Sequence, residues 1–95
     1  SVRDNRIDVV DSVIRLINKS IASTQERLTR LEGNAEQSYT SKGLEVPGGL
    51  AQNIEESRRK LINRSAQLEL KEAERDRISE QYELDLARYR FLKTR

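Results

Sequence analysis

Apolar residues recur along the first third of the chain at alternating spacings of three and four. The series contains one polar member and comprises Ile7, Val10, Ile14, Ile17, Ile21, Thr24, Leu28, Leu31 and Ala35. This spacing, sustained over about four heptads, is typical of a coiled-coil helix that buries one narrow stripe. We call the stripe the seam. It predicts a first helix over about residues 2–42.

The stretch Gly43–Gly49 interrupts the helical pattern, because it holds three of the four glycines and the only proline. Pro47 is compatible with the first turn of a helix, where its missing N–H has no intrahelical partner. The pattern predicts a bend at 43–49 and a second helix over about 47–95. The expected fold is all-α: one domain over 1–95, an antiparallel two-helix coiled-coil hairpin packed further as a dimer or bundle.

Gly33 leaves an alternative open in the first helix. It could end the helix at Glu32, which would join residues 33–49 into one long loop and enlarge the tip. The helix could also run through Gly33 at a cost of about 1 kcal/mol. Because Ala35 and Ser38 continue the seam in phase, we expect a continuous helix.

The second helix has a matching seam, which comprises Ile54, Leu61, Leu68, Arg75, Ile78, Tyr82, Tyr89 and Leu92. A chain reversal at Val46 predicts a register with the pairs Leu31–Leu61, Thr24–Leu68, Ile17–Arg75, Ile14–Ile78 and Val10–Tyr82. Arg75 is the exception among these layers. We expect its head group either to reach past its aliphatic stem to solvent or to set the register at some cost in stability.

A second apolar series on the same helix has no use in an isolated hairpin. It comprises Ile62, Ala66, Leu70, Ala73, Leu84, Ala87 and Phe91, and Val9, Val13 and Leu16 add to it from the first helix. Two helices alone bury little surface. We therefore expect a homo-oligomer, or docking onto another helix, through Leu70, Leu84 and Phe91. The alternative is that these residues only raise helix propensity.

The composition of the chain argues against a catalytic or metal-binding site. The chain has no histidine and no cysteine, and a narrow coiled coil offers no deep concave pocket, so we expect no catalytic residues, no cofactor and no metal site. The acidic run Glu69–Asp76 has the pattern of a solvated helix face. Eighteen basic and sixteen acidic residues are interspersed, which does not favour nucleic acid as a partner. The basic run Arg58–Lys60 fits an i,i+4 network, for example Glu56 with Lys60.

No stretch approaches the ~18 apolar residues of a membrane span. The chain starts without methionine and ends on a charged helical segment, so we expect it to be part of a longer protein. Any membrane attachment would then come from that parent chain.

Three segments together resemble one family. They are Arg27-Leu28-Thr29-Arg30-Leu31-Glu32, Leu44-Glu45-Val46-Pro47-Gly48-Gly49-Leu50 and Glu56-Ser57-Arg58-Arg59-Lys60-Leu61. This part of the chain resembles the α-helical hairpin of membrane fusion (periplasmic adaptor) proteins of haemolysin-type secretion systems. The resemblance implies an oligomer on the periplasmic side of a cell envelope, with a hairpin tip that meets an outer-membrane channel protein.

The expected function is a non-enzymatic structural and interaction module, most plausibly the hairpin of such an adaptor. The residues expected to contact a partner at the tip are Thr40, Ser41, Lys42, Leu44, Glu45, Val46 and Leu50. The alternatives are a cytosolic coiled-coil oligomerisation or adaptor domain with no envelope role, and a helical binder of nucleic acid or an anionic surface through Arg58, Arg59 and Arg64.

Overall fold

The computed structural model describes residues 2–94 and contains two long antiparallel helices. Helix α1 spans Val2–Ser38, a 3₁₀ turn spans Thr40–Lys42, and helix α2 spans Gly48–Lys93. The molecule measures 78 × 16 × 16 Å, and the two helices pack against each other along their length. Residues 2–94 contain no β-strand. The predicted all-α helical hairpin is therefore confirmed.

Helix α1 passes through Gly33 without a break, as the continuous seam predicted. Gly33 lies on the outer face, where a Cβ atom would meet no neighbour. Two residues further on, Ala35 is buried in the seam between α1 and α2. Burial beyond the glycine offsets its low helix propensity, so the alternative with a long loop from residue 33 does not occur.

The bend is built differently from its predicted form. Helix α1 ends at Ser38, four residues before the predicted position, because Tyr39 leaves the helical region with φ −130° and ψ −67°. The chain then makes the 3₁₀ turn, and helix α2 begins at Gly48 with Pro47 as its N-cap rather than inside its first turn. The connecting segment is thus 39–47 instead of 43–49. Helix α2 ends at Lys93, and the last residue of its predicted span, 95, lies outside the described residues.

Most of the predicted seam is where the periodicity placed it. Val10, Ile17, Ile54 and Ile78 are buried, and Ile7, Ile14, Ile21, Leu28, Leu31, Leu61, Leu68 and Tyr82 are half-buried. Thr24 is also buried, and its hydroxyl donates to the carbonyl oxygen of Ser20 at 2.7 Å. This local bond satisfies the hydroxyl within its own helix, so the polar residue fits the seam.

Two residues predicted to belong to the seam of the second helix do not lie in it. Tyr89 and Leu92 are 59% and 57% exposed, whereas Leu86 is half-buried. Both lie near the open end of the hairpin, beyond the level at which α1 begins. Among the described residues, no part of α1 lies level with Tyr89 and Leu92, so α1 does not cover them.

The register of the two helices also differs from the predicted one. Asp11 contacts Arg75 and Glu32 contacts Arg58, so residues near 75 and 58 lie level with residues near 11 and 32. Taken in order from the bend, the buried and half-buried positions then match Ala35 with Ile54, Leu31 with Ser57, Leu28 with Leu61, Thr24 with Arg64, Ile21 with Leu68, Ile17 with Lys71, Ile14 with Arg75, Val10 with Ile78 and Ile7 with Tyr82. Helix α2 is shifted by about one turn from the predicted pairing. The predicted reversal at Val46 failed because the turn begins at Tyr39 and is centred before Val46.

This register reveals an asymmetry that sequence reasoning missed. Helix α1 lines the seam almost entirely with aliphatic residues, while α2 contributes polar residues at several levels. Those residues are Ser57, which is buried, and Arg64, Lys71 and Arg75, which are half-buried. A spacing of three from Ile54, Leu61 and Leu68 would have found the first three. The predicted seam omitted them because it joined apolar residues and admitted Arg75 as its one charged member.

Candidate interaction surfaces

The tip of the hairpin exposes five of the seven residues predicted to contact a partner. Thr40, Ser41, Lys42, Leu44 and Glu45 are exposed. Val46 and Leu50 are half-buried, and Val46 lines a groove together with Ala35 and Ile54. The structure therefore divides the predicted tip set into a solvent-facing group and two residues that close the end of the seam.

A hydrogen-bonded C-cap holds the tip in shape. Gly43 adopts the left-handed conformation with φ 70°, its N–H donates to Thr40 O at 3.1 Å, and Leu44 N–H donates to Tyr39 O at 2.9 Å. These two bonds are those of a Schellman motif, which requires positive φ at one residue and so favours glycine there. The exposed side chains of Lys42, Leu44 and Glu45 consequently project from a defined turn. They offer one cation, one apolar group and one anion to a partner.

The predicted basic run close to the tip is partly neutralised. Arg58 pairs with Glu32 of α1 at 3.5 Å, and Arg59 pairs with Glu55 at 3.6 Å. The predicted pair of Glu56 with Lys60 does not form among the described residues. Glu56 instead accepts a hydrogen bond from Gln52 Nε2 at 3.5 Å. The i,i+4 interpretation itself fits the Glu55–Arg59 pair. These exposed pairs balance the charges of Arg58 and Arg59.

Charged groups also flank the middle of the seam. Arg75 Nε donates to Asp11 Oδ1 at 2.6 Å, which explains how a half-buried arginine is accommodated opposite Ile14. Lys71 Nζ donates to Glu74 Oε2 at 2.9 Å. This hydrogen bond, together with the positive charge of Lys71, lowers the pKa of Glu74 from its ordinary value of 4.5. Both arginine and lysine thus pass the seam on aliphatic stems and pair at its edge.

One side of the hairpin is polar near the tip and apolar near the open end. Near the tip, a groove on this side is lined by Ser23, Thr24, Arg27, Asn53, Glu56, Ser57 and Lys60. Residues seven positions apart share a helix face in a coiled coil. Continuing in steps of seven from Ser23 leads to Leu16, Val9 and Val2 on α1, all exposed. The same steps from Glu56 lead to Asn63, Leu70, Arg77, Leu84 and Phe91 on α2, which are also exposed and mostly apolar.

The large apolar residues of the second series of α2 are exposed in the single hairpin, whereas Ala73 of that series is half-buried. Ile62, Leu70, Leu84 and Phe91 are 62–70% exposed. Exposed apolar side chains arranged in a continuous stripe mark interaction surfaces in water-soluble helices.

Residues 2–94 contain no cluster of three or more His, Cys, Asp or Glu side chains that could hold a metal ion. Neither α1 nor α2, over the residues described, is long and apolar enough to cross a bilayer.

Comparison with known proteins adds no relative: no protein-family model, curated protein or solved structure matches the chain.

Proposed function

We propose that the chain is a non-enzymatic coiled-coil hairpin that holds a protein-binding tip at a distance from its base, as the hairpin of a cell-envelope secretion adaptor does. The observation that carries the proposal is the shape. The molecule is a rod 78 Å long with a radius of gyration of 21.9 Å. A compact domain with a similar number of residues typically has a radius of gyration of about 13 Å. Such a rod has little interior for a catalytic pocket, and its end is the surface farthest from its base.

The construction of the tip supports a role in recognition. Leu44 is 55% exposed between two exposed charged residues, in a turn fixed by backbone hydrogen bonds. A rigid loop loses little conformational entropy when it binds, so a small set of side chains can provide useful affinity. The resemblance of segments 27–32, 44–50 and 56–61 to periplasmic adaptor hairpins points to a channel protein as the partner.

A photo-crosslinking experiment tests this role. A photoreactive amino acid at position 44 of the protein in its native cells should crosslink to an envelope channel protein, whereas the same amino acid at exposed Gln25, far from the tip, should not. Replacing Lys42 and Glu45 by serine, with the probe kept at position 44, should reduce the crosslink. Equal crosslinking from positions 25 and 44 would contradict a tip-specific role.

A second candidate is an oligomerisation or adaptor domain with no envelope role, favoured by the exposed apolar side at the open end. The same experiment separates the two. Crosslinks from position 44 only to cytosolic proteins, or none at all while the chain self-associates, would support this candidate and overturn the first.

A further inference from the structure

The second apolar series of α2 continues without interruption once its charged members are included. Between Ala73 and Leu84 the spacing of four and three is filled by Arg77 and Glu80. The complete stripe is Ala66, Leu70, Ala73, Arg77, Glu80, Leu84, Ala87 and Phe91, which we call the outer stripe. Its spacing is that of a second coiled-coil seam, on a face directed away from α1.

The outer stripe is exposed in the hairpin except at Ala73, which is half-buried. Leu70 and Leu84 are 70% and 65% exposed, and Arg77 and Glu80 are also exposed. Within residues 2–94, Arg77 and Glu80 form no ion pair at contact distance, although the charge of Arg77 attracts the Glu74 carboxylate of its own helix. A heptad stripe of this length exposed to water is expected to have a helical partner.

From this pattern we infer that the outer stripe binds the outer stripe of a second copy in the antiparallel direction, about a twofold axis between Arg77 and Glu80. In this register each Arg77 lies opposite Glu80 of the second copy. The next levels place Leu84 opposite Ala73 and Leu70 opposite Ala87, and the outermost places Phe91 opposite Ala66. Each level thus combines a large side chain with a small one, or a cation with an anion, as close helix packing requires.

Other arrangements lose this complementarity. A parallel pair in register places Arg77 against Arg77 and Glu80 against Glu80, which is repulsive. An antiparallel pair shifted by one heptad places Arg77 against alanine and Glu80 against leucine, which desolvates both charges without pairing them. Only the unshifted antiparallel register satisfies every level from 70 to 87. It is also isologous, because the same contacts occur twice about the axis.

The pairing has a consequence for the tips. The axis lies near residues 77–80 and the tips near residue 44, so the two tips point in opposite directions, roughly 100 Å apart at about 1.5 Å per residue. The outer stripe is separate from the tip, so the dimer is measured without any tip partner. Two tips that point in opposite directions do not both reach one channel protein, so this dimer fits the second candidate function better than the envelope adaptor.

The first measurement is sedimentation equilibrium of the chain. We expect a concentration-dependent dimer of the 11.0 kDa chain. Arg77→Glu should raise the dimer dissociation constant at least tenfold, because four carboxylates then meet at the axis, and Glu80→Arg should do the same with four cations. The double exchange Arg77→Glu with Glu80→Arg should restore the dimer. A monomer at all concentrations, or a double exchange no better than the single ones, would overturn the proposal.

A matched control separates the outer stripe from the rest of the apolar side. Leu84→Glu should dissociate the dimer, whereas Leu16→Glu, at an equally exposed site on α1, should leave it intact. The opposite result would place the interface on α1 and overturn the proposal. Circular dichroism of each variant checks that the hairpin remains helical, and Ala73→Gln, which fills the small side of a level, is a second disruptive variant.

Spin labels measure direction. The chain has no native cysteine, so a single introduced cysteine is labelled once per copy. Antiparallel pairing predicts an interspin distance of roughly 40 Å for a label at position 65 and a much shorter one at position 81, from the rise of about 1.5 Å per residue. Short distances at both positions indicate a parallel dimer and would contradict the inference.

Discussion

Arg75 Nε donates to Asp11 Oδ1 at 2.6 Å, joining the two helices across a separation of 64 residues in sequence. The contact turns an interruption of the apolar seam into a point that fixes register. Its two side chains are 43% and 32% exposed, so water and salt screen part of the attraction.

A double-mutant cycle measures that pair. With Asp11→Ala, Arg75→Ala and the double variant, we expect a coupling of about 0.5–1 kcal/mol in urea unfolding, decreasing as salt is raised. The matched control is Glu55–Arg59, which is longer at 3.6 Å, more exposed and confined to one helix. Its coupling should be smaller. Equal coupling for the two pairs would show that the contact between helices has no special role.

The seam should tolerate charge far less than its neighbours do. Ile17 is 8% exposed and the adjacent Leu16 is 66% exposed. Ile17→Asp places an unpaired carboxylate in the seam and should destabilise the hairpin by about 3 kcal/mol or more, with a large loss of helicity. Leu16→Asp should change the free energy of unfolding by less than about 1 kcal/mol. Chemical denaturation followed by circular dichroism compares them, and similar losses would contradict the described burial.

Two glycines should respond to alanine with opposite signs. Gly43 has φ 70°, so Gly43→Ala strains the Schellman motif and should cost about 1 kcal/mol. Gly33 lies inside α1, five residues before its end, and an added Cβ would meet no neighbour, so Gly33→Ala should stabilise the hairpin by roughly 0.5–1 kcal/mol. Thermal unfolding of both variants checks the signs. A stabilising Gly43→Ala would rule out the left-handed turn.

Arg64 is an imperfectly satisfied member of the seam. Its Nε is buried without a hydrogen-bond acceptor among the described residues, while Nη1 donates to Gln67 at 2.9 Å. Arg64→Met keeps the aliphatic bulk and removes the buried donor, so it should stabilise the hairpin by about 1 kcal/mol. Lys60→Met, at an exposed position, is the control and should have little effect. Destabilisation by Arg64→Met would mean that the arginine has a partner that the isolated hairpin lacks.

Glu74 provides a test by pH. Because Lys71 lowers the pKa of Glu74 in the folded chain, the stabilising contact is present above the ordinary pKa of 4.5 and is lost as pH falls through the lower, folded pKa. An NMR titration should give a pKa for the Glu74 carboxyl below its ordinary value of 4.5. Lys71→Met should bring it back toward that value, and Lys60→Met should not. No change with Lys71→Met would show that the hydrogen bond does not form in solution.

The fold was predictable because its main signals are local. The regular spacing from Ile7 to Ala35 specifies one buried face, and the glycines and proline after Lys42 specify a break in the helix. Register was not predictable in the same way. It depends on where the turn begins, and nothing in the sequence around Tyr39 distinguishes a helix end there from one a turn later.

The interaction surfaces were predictable in part for a related reason. Leu70, Leu84 and Phe91 stood out because apolar residues at helical spacing are conspicuous. Arg64 and Lys71 did not stand out, although their spacing from Leu61 and Leu68 fits the seam, because a long basic side chain at such a spacing can also extend into water. The division of the tip into exposed Leu44 and half-buried Val46 likewise required the turn geometry.

The slender shape also makes the molecule a lever. With 78 Å between its ends, a small rotation of the open end sweeps the tip through a much larger arc. The position of the tip therefore depends on the contacts that hold the open end in place. A substitution far from Leu44 that loosens the base would misplace the tip without altering any of its residues.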